Sequence, residues 1–248
     1  MSGYGSFAYF YDRLTGNVPY ADMARQIERY TERFGGKKDI LLDLACGTGS
    51  LSEQLARLGF DVIGVDSSEE MLNCALDKKF DSGLPIQYLR QDMRALDMFG
   101  TIDVTVCSLD GINHLESKED VLKAFERVSL FCHPDGLFIF DVNTLRKHRD
   151  ILADSAFIYS FEDFYCGWQN EYDETDSSVG IYLDIFERDG DKYTRYSEEF
   201  REIYLSREDI VSLLGKAGMT VLGVYDGYTD EPLNDMSERA VYVCGKQK

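Results

Sequence analysis

The chain has 248 residues, 44% of them hydrophobic and 29% charged, enough to bury a full core and typical of a soluble globular protein. Its formal net charge of −19 argues against nucleic acid and anionic membrane as partners, which bind through cationic side chains meeting phosphates. No apolar run is long enough to span a bilayer, no basic-then-apolar leader opens the chain, and the six cysteines (Cys46, Cys74, Cys107, Cys132, Cys166, Cys244) are scattered without a C-x-x-C pair; the expectation is a cytoplasmic protein with reduced thiols, a monomer or homodimer acting on a small molecule.

The first 36 residues predict a helical cap: SGYGSFAYFYDRL carries Tyr4, Phe7, Tyr9, Phe10 and Tyr11 at helical spacing, and a second helix runs from about Tyr20 to Phe34. LLDLACGTGS, residues 41–50, then reads as a buried strand, a glycine turn and a helix start. Leu41, Leu42 and Leu44 supply the apolar run, and Gly47 and Gly49 let the backbone turn and approach a ligand without a Cβ in the way. Leu51, Leu55 and Leu58 share one face of the next helix, and FDVIGVD is a second strand ending at Asp66. Ser67 with Glu70 is a capping-box signature for SEEMLNCALDKKF. PIQYLR, ending near Asp92 and Met93, and IDVTVCSL, ending at Asp110, supply two more strands. Ser117 and Asp120 open a helix whose apolar face is Val121, Phe125 and Val128, and HPDG at 133–136 is a turn before the strand LFIFDV. Strands alternating with helices predict a parallel sheet covered on both faces.

After residue 150 the pattern changes. Ile181, Leu183 and Ile185 alternate with Tyr182, Asp184 and Phe186, Asp189-Gly190 is a hairpin turn, and KYTRYSEEFREIYL is the returning strand. This is an antiparallel β insertion, rich in the rings of Tyr165, Trp168, Tyr172, Tyr182, Tyr193 and Tyr196, which suit either an organic ligand or packing within the insertion. Ser206 and Asp209 then cap a helix ended by Gly218, and MTVLGVYDGY and RAVYVCGK form a final strand pair across a link containing Pro232. The expected divisions are a helical cap (1–36), a ligand-binding α/β core (37–150), a β lid (151–204) and the C-terminal helix and last strands of the core (205–248).

The glycine turn alone leaves two cofactors open. A dinucleotide fingerprint, G-x-G-x-x-G/A, would place Ser52 at its third small position, and Asp66 suits any ribose diol. The C-terminal strand pair decides, because a dehydrogenase would continue with parallel βαβ units or a catalytic domain. FAYFYDRL, DLACGTG, GVDSSEEML, QDMR, CSLDGINHL, WQNEYDE and YSEEFREIYLS, in this order, resemble a small-molecule branch of the class I S-adenosylmethionine (AdoMet) methyltransferases, similar to the sugar N,N-dimethyltransferases and, more distantly, glycine N-methyltransferase. The resemblance implies a Rossmann-like α/β fold: seven strands, mostly parallel, with an antiparallel final strand, plus the cap and the β insertion. It implies AdoMet as cofactor, with Ala45, Cys46, Gly47 and Gly49 around its methionine part, Asp66 at the ribose and Ser67 and Met71 beside the adenosine. Asp92 and Met93 would meet the adenine, Leu109 would lie under the sulfonium, and Tyr11 and Tyr20 would close over the top. Ala45 stands where the wider superfamily has glycine, and Phe200 where relatives often carry histidine.

An amine nucleophile must lose a proton before it attacks a methyl group. His114, in DGINHL, matches the family's base or orienter on the acceptor side, with Tyr11 beside it; the plainer reading is that His114 caps the following helix. Asp141 and Asn143, with Asp110, superficially resemble the acid set of metal-dependent O-methyltransferases, but strand-end turns use the same residues and no metal is expected. Arg146, Lys147, His148 and Arg149 form the one basic cluster, either a solvated loop or a contact for an anionic substrate. CSLDGIN lacks the (N/D)-P-P-(F/Y/W) motif used on nucleobase or amide nitrogens. Methyl transfer to a small molecule, at nitrogen as the first choice and oxygen as the second, is thus the expected function. The alternatives are a noncatalytic AdoMet-binding regulator and, third, an NAD(P)-dependent oxidoreductase.

Overall fold

The alternation of strand and helix holds through residue 143. The structure, a computed structural model, describes residues 7–247, so Tyr4 lies outside the described residues. Helices α1 (Phe7–Leu14) and α2 (Tyr20–Arg33) precede β1 (Ile40–Leu44), α3 (Ser50–Arg57), β2 (Asp61–Asp66), α4 (Glu69–Ser82), β3 (Gln87–Arg90), β4 (Ile102–Cys107), α5 (Lys118–Phe131) and β5 (Cys132–Asn143). Strands β6 (Ala156–Ser160), β7 (Phe164–Asp173), β8 (Ser178–Asp189) and β9 (Lys192–Glu202) follow, and α6 (Arg207–Lys216), β10 (Met219–Asp226) and β11 (Arg239–Lys246) complete the chain.

The main sheet has seven strands in the order β10-β11-β5-β4-β1-β2-β3, with β11 antiparallel to both of its neighbours. Alternate residues of each strand face opposite layers, as a pleated strand requires. Leu42, Leu44, Phe138 and Phe140 pack with Val121, Phe125, Ile210 and Leu214 of α5 and α6. Leu41, Val104, Val106 and Ile139 pack with Ile27 and Tyr30 of α2 and Leu51 and Leu55 of α3. The strand order reverses between β1 and β4, so their carboxyl ends flank a crevice, where ligands of open α/β sheets bind. Among the described residues no helix is long and apolar enough to cross a membrane.

The second sheet, β6-β7-β8-β9, is antiparallel throughout, and Gly190, with φ of 60°, lies in the loop after Asp189. Its inner face has a core of its own: Phe164, Cys166, Ile181, Leu183 and Ile185 pack against Phe7, Phe10 and Leu14 of α1 and Met71 of α4. The two helices expected as one cap therefore pack on different cores, α1 under the second sheet and α2 on the main sheet.

Local expectations hold at most helix starts, with two corrections. Ser206 and Asp209 form a reciprocal capping box, and Ser117 caps α5 through the Asp120 amide at 3.2 Å. The cap of α4 is Ser68 rather than Ser67, accepting from the Met71 amide at 3.2 Å, because Ser68 is the last residue in extended conformation. HPDG does not separate a helix from a strand; β5 already begins at Cys132, pairs with Ile102, and absorbs the extra residues before Leu137 pairs with Val104.

Candidate active site

A cavity of about 420 Å³ opens at the carboxyl ends of β1, β2 and β4, roofed by α1 and the second sheet. Of the residues expected there, Tyr11, Tyr20, Ala45, Cys46, Gly47, Asp66, Ser67, Met71, Asp92, Met93, Leu109 and His114 all line it. Gly49 does not. It begins α3 at φ 77°, and a Cβ there would lie 2.2 Å from the Tyr88 hydroxyl, so this glycine serves the close packing of the turn on β3. Gly47, at φ 54°, is the one whose Cβ direction meets open space. Ala45 also adopts a left-handed conformation, φ 60°, which costs a residue with a Cβ on the order of 1–2 kcal/mol. The alanine thus accepts strain as well as a looser approach.

The turn is held from below by two carboxylates. Asp66 accepts from the Gly47 amide at 2.8 Å and the Ser68 amide at 2.9 Å, one bond on each oxygen. Each oxygen keeps a further lone pair for a ligand. Burial raises the Asp66 carboxyl above its ordinary range, against the pull of those amides. Deeper, Asp43 is fully enclosed and accepts from the Ser52 hydroxyl at 2.5 Å; burial, with Asp66 nearby, pushes it up to about 7. Ser52, the residue that blurred the dinucleotide fingerprint, is therefore the partner of a buried acid. Asp92 caps a short helical turn, Met93–Ala95, and the Arg94 fork holds its carboxyl at 2.6–3.0 Å and lowers it.

At the other end of the cavity, Leu109 and Asp110 are consecutive left-handed residues, φ 56° and 58°. Their amides both donate to the Asp141 carboxylate, each at 2.8 Å, so one internal anion fixes the turn after β4. Asp141 is also bonded by Arg239 and by the Tyr228 hydroxyl at 2.6 Å. The second arm of Arg239 holds Asp110 at 2.5 Å, and the other Asp110 oxygen lies 3.7 Å from His114 Nε2. Burial opposes the Arg239 charge, yet Asp141 and Asp110 outweigh it and hold the guanidinium protonated. Phe200 meets the His114 ring edge-on, with centroids 5.2 Å apart, and lines the cavity with Trp168. His114 is not the cap of α5, since Ser117 fills that role.

Over residues 41–136 the chain matches the model of a methyltransferase domain. It is 35% identical over 246 residues to YqeM of Bacillus subtilis, spanning 99% of this chain and 98% of that protein. An S-adenosylmethionine-dependent methyltransferase from Clostridium acetobutylicum superposes with a TM-score of 0.88 at 32% identity, over 99% of both chains. The chain belongs to the S-adenosylmethionine-dependent methyltransferase family. The sugar N-methyltransferase KedS8 of a Streptoalloteichus species shares the methyltransferase's fold, with a TM-score of 0.78 over 97% of this chain and 93% of that one; at 19% identity the likeness is one of fold alone.

Among the side chains of this methyltransferase's cavity that were not expected are Arg239 and Glu202, both from distant segments. The signal that points to Arg239, and to Tyr228 beside it, is Asp141, an acid inside the apolar strand LFIFDVN that must find partners. The O-methyltransferase-like acid set is resolved by the same bonds: Asp141 is engaged by Arg239 and Tyr228, while Asn143 donates to Glu202 at 2.7 Å. Among the described residues one metal-type set converges, Asp110, His114 and Glu202 within 4.8 Å of one another, with both carboxylates already engaged. The basic cluster does not face an anionic substrate. Arg146 and Lys147 pair with Glu238, Arg149 with Asp150, and His148 is fully buried. Of the six insertion aromatics, Trp168 alone lines the cavity.

Proposed function

We propose that this methyltransferase acts on the amine nitrogen of a small molecule, in the cavity between the main sheet and the second sheet. The observation that carries the reading is the charge of that cavity: besides Asp43, which burial keeps protonated below about pH 7, five acids (Asp66, Asp92, Asp110, Glu116, Glu202) line it against two arginines, Arg94 and Arg239. Such a field favours a cationic cofactor and a cationic acceptor over an anionic one. The residues fit AdoMet: Gly47 offers an open cradle, Asp66 retains lone pairs for a ribose diol, and Met71 and Met93 give an apolar slot beside Asp92. Tyr11 and Tyr20 close the same end from α1 and α2.

AdoMet, when bound, supplies an activated methyl group on a sulfonium. The chain's own part is to align the acceptor, exclude water and take a proton, and orientation of this kind contributes about 7–11 kcal/mol in good cases. His114 accepts one proton from the acceptor's ammonium, freeing the nitrogen lone pair. The lone pair would then face the methyl group that AdoMet supplies, with the C–S bonding electrons left on sulfur. Asp110 lies beside His114 Nε2, at 3.7 Å. Trp168 and Phe200 wall off water, and α1 with the second sheet serves as the lid.

A screen of small amines and matched alcohols, read as S-adenosylhomocysteine (AdoHcy) release, tests the reading. Amines with a free ammonium are expected to turn over and their alcohol counterparts to be inert. Turnover confined to alcohols refutes it.

A further inference from the structure

Glu202 is the last residue of β9, and three residues from outside the second sheet, Asn113, Asn143 and His148, fix where it points. Asn113, fully buried in the loop after β4, donates to the Ile203 carbonyl at 2.8 Å and accepts, on its own carbonyl, the Ile203 amide at 2.8 Å. Asn113 Oδ1 also accepts from the Asn143 amide at 3.0 Å, and the Asn143 side chain donates to Glu202 Oε2 at 2.7 Å. His148 Nε2 lies 3.3 Å from the same oxygen. His148 is fully enclosed and Glu202 nearly so. Both fixed contacts thus fall on Oε2, and Glu202 lines the cavity beside Asp110 and His114.

The two nitrogens of His148 meet different acceptors. Nδ1 is 2.9 Å from the Ser177 carbonyl, which only accepts, so Nδ1 carries a hydrogen. A lone pair on Nε2 would oppose the carboxylate oxygen 3.3 Å away, whereas a second hydrogen there would meet it. Burial works against the Glu202 charge, but His148, His114 and Asn143 outweigh it and hold the carboxyl below its ordinary range. The groups facing Glu202 are Asn143 from β5, His148 from the turn after it, and Asp110 and His114 from the loop after β4, with Arg239 on the far oxygen of Asp110.

We propose that Glu202 seats the ammonium of the acceptor, and that His148 is the positioning residue that keeps this carboxylate charged and aimed. The inference rests on the amine reading above and deepens it: the second sheet supplies the charge that distinguishes an amine from an alcohol. An alcohol gains nothing from Glu202, whereas an ammonium makes a charge-assisted bond next to His114, its proton acceptor.

The charge state of the pair can be read without an acceptor. The protein has three histidines, His114, His133 and His148, so the ¹⁵N imidazole spectrum of the AdoHcy-saturated protein is readily assigned. His148 is expected to show both nitrogens protonated at pH 7.5, and Glu202→Gln to return it to the neutral Nδ1–H form. A neutral His148 in the unmodified protein overturns the proposal. With an amine acceptor from the screen, Glu202→Gln is expected to raise KM for that amine about tenfold or more, with KM for AdoMet unchanged. His148→Gln keeps an N–H toward Glu202 but no charge, so KM for the amine is expected to rise severalfold with kcat held, and adding Glu202→Gln to it should raise KM no further than Glu202→Gln alone. An amine KM indifferent to Glu202→Gln, or a double variant in which the two KM effects multiply, refutes the seat while leaving the amine reading standing. A screen returning alcohols alone overturns that reading before Glu202 is touched.

Discussion

Asp43→Asn isolates the cost of the acid buried beneath the glycine turn. Burial, aided by Asp66 and opposed by the Ser52 hydroxyl, raises the Asp43 carboxyl from 3.8 to about 7 in the folded protein. Between those values the native state holds a proton that the unfolded chain releases. The resulting stability is complete below the lower value, falls as pH rises, and is gone above the upper one. At 1.36 kcal/mol per pH unit, the shift of roughly three units corresponds to about 4 kcal/mol in all, and to about 3 kcal/mol between pH 5 and pH 8. Asparagine keeps an acceptor for Ser52 and does not titrate. Any cost of its unpaired amide, about 1–3 kcal/mol, is the same at every pH and drops out of the comparison. Urea unfolding of both proteins at pH 5, 6, 7 and 8, followed by circular dichroism, should show the unmodified protein losing about 3 kcal/mol relative to Asp43→Asn over that range. Parallel curves would show that Asp43 is ionised in the native state and that the argument from burial is wrong.

The remaining expectations concern the cavity. Asp66→Ala should weaken AdoHcy binding by about one to two orders of magnitude, since charged hydrogen bonds contribute about 1.5–3 kcal/mol; a calorimetric titration with wild-type affinity would place the ribose elsewhere. His114→Ala should leave AdoMet affinity nearly intact and slow turnover of the amine by about 10²–10⁴, and an unchanged rate under saturating AdoMet would make the residue structural. Arg239→Met should destabilise the fold by about 3–5 kcal/mol, because Asp110 and Asp141 lose a shared buried cation. Adding Asp141→Asn should recover part of that loss, and strict additivity in urea unfolding would show that the two side chains do not interact.

The glycine-turn side of the cavity was legible because its signals are local. An apolar run, two glycines and a strand-ending acid lie within 26 residues, from Leu41 to Asp66, and the Asp66 carboxylate bonds the Gly47 amide directly. The side built from the loop after β4 and the second sheet was not, because its residues meet only in three dimensions. Asp110 and Arg239 are 129 positions apart, and Asn143 and Glu202 are 59 apart. His148 was hidden by its neighbours: in an RKHR run a histidine reads as one more solvated charge, and only the return of β9 to β5 encloses it. Gly49 erred in the other direction. A motif glycine is read as making room for a ligand, whereas here the room is taken by Tyr88.

The placement of α1 has a consequence for how the cavity is held together. Asp12 on this helix accepts from the Thr48 hydroxyl at 2.6 Å and the Ser50 hydroxyl at 3.1 Å, and pairs with Lys78, so it is fastened to the start of α3 and to α4. The opposite side of the same helix is part of the second sheet's core. One eight-residue helix therefore joins the two walls of the cavity, the glycine turn through Asp12 and the second sheet through Phe7, Phe10 and Leu14.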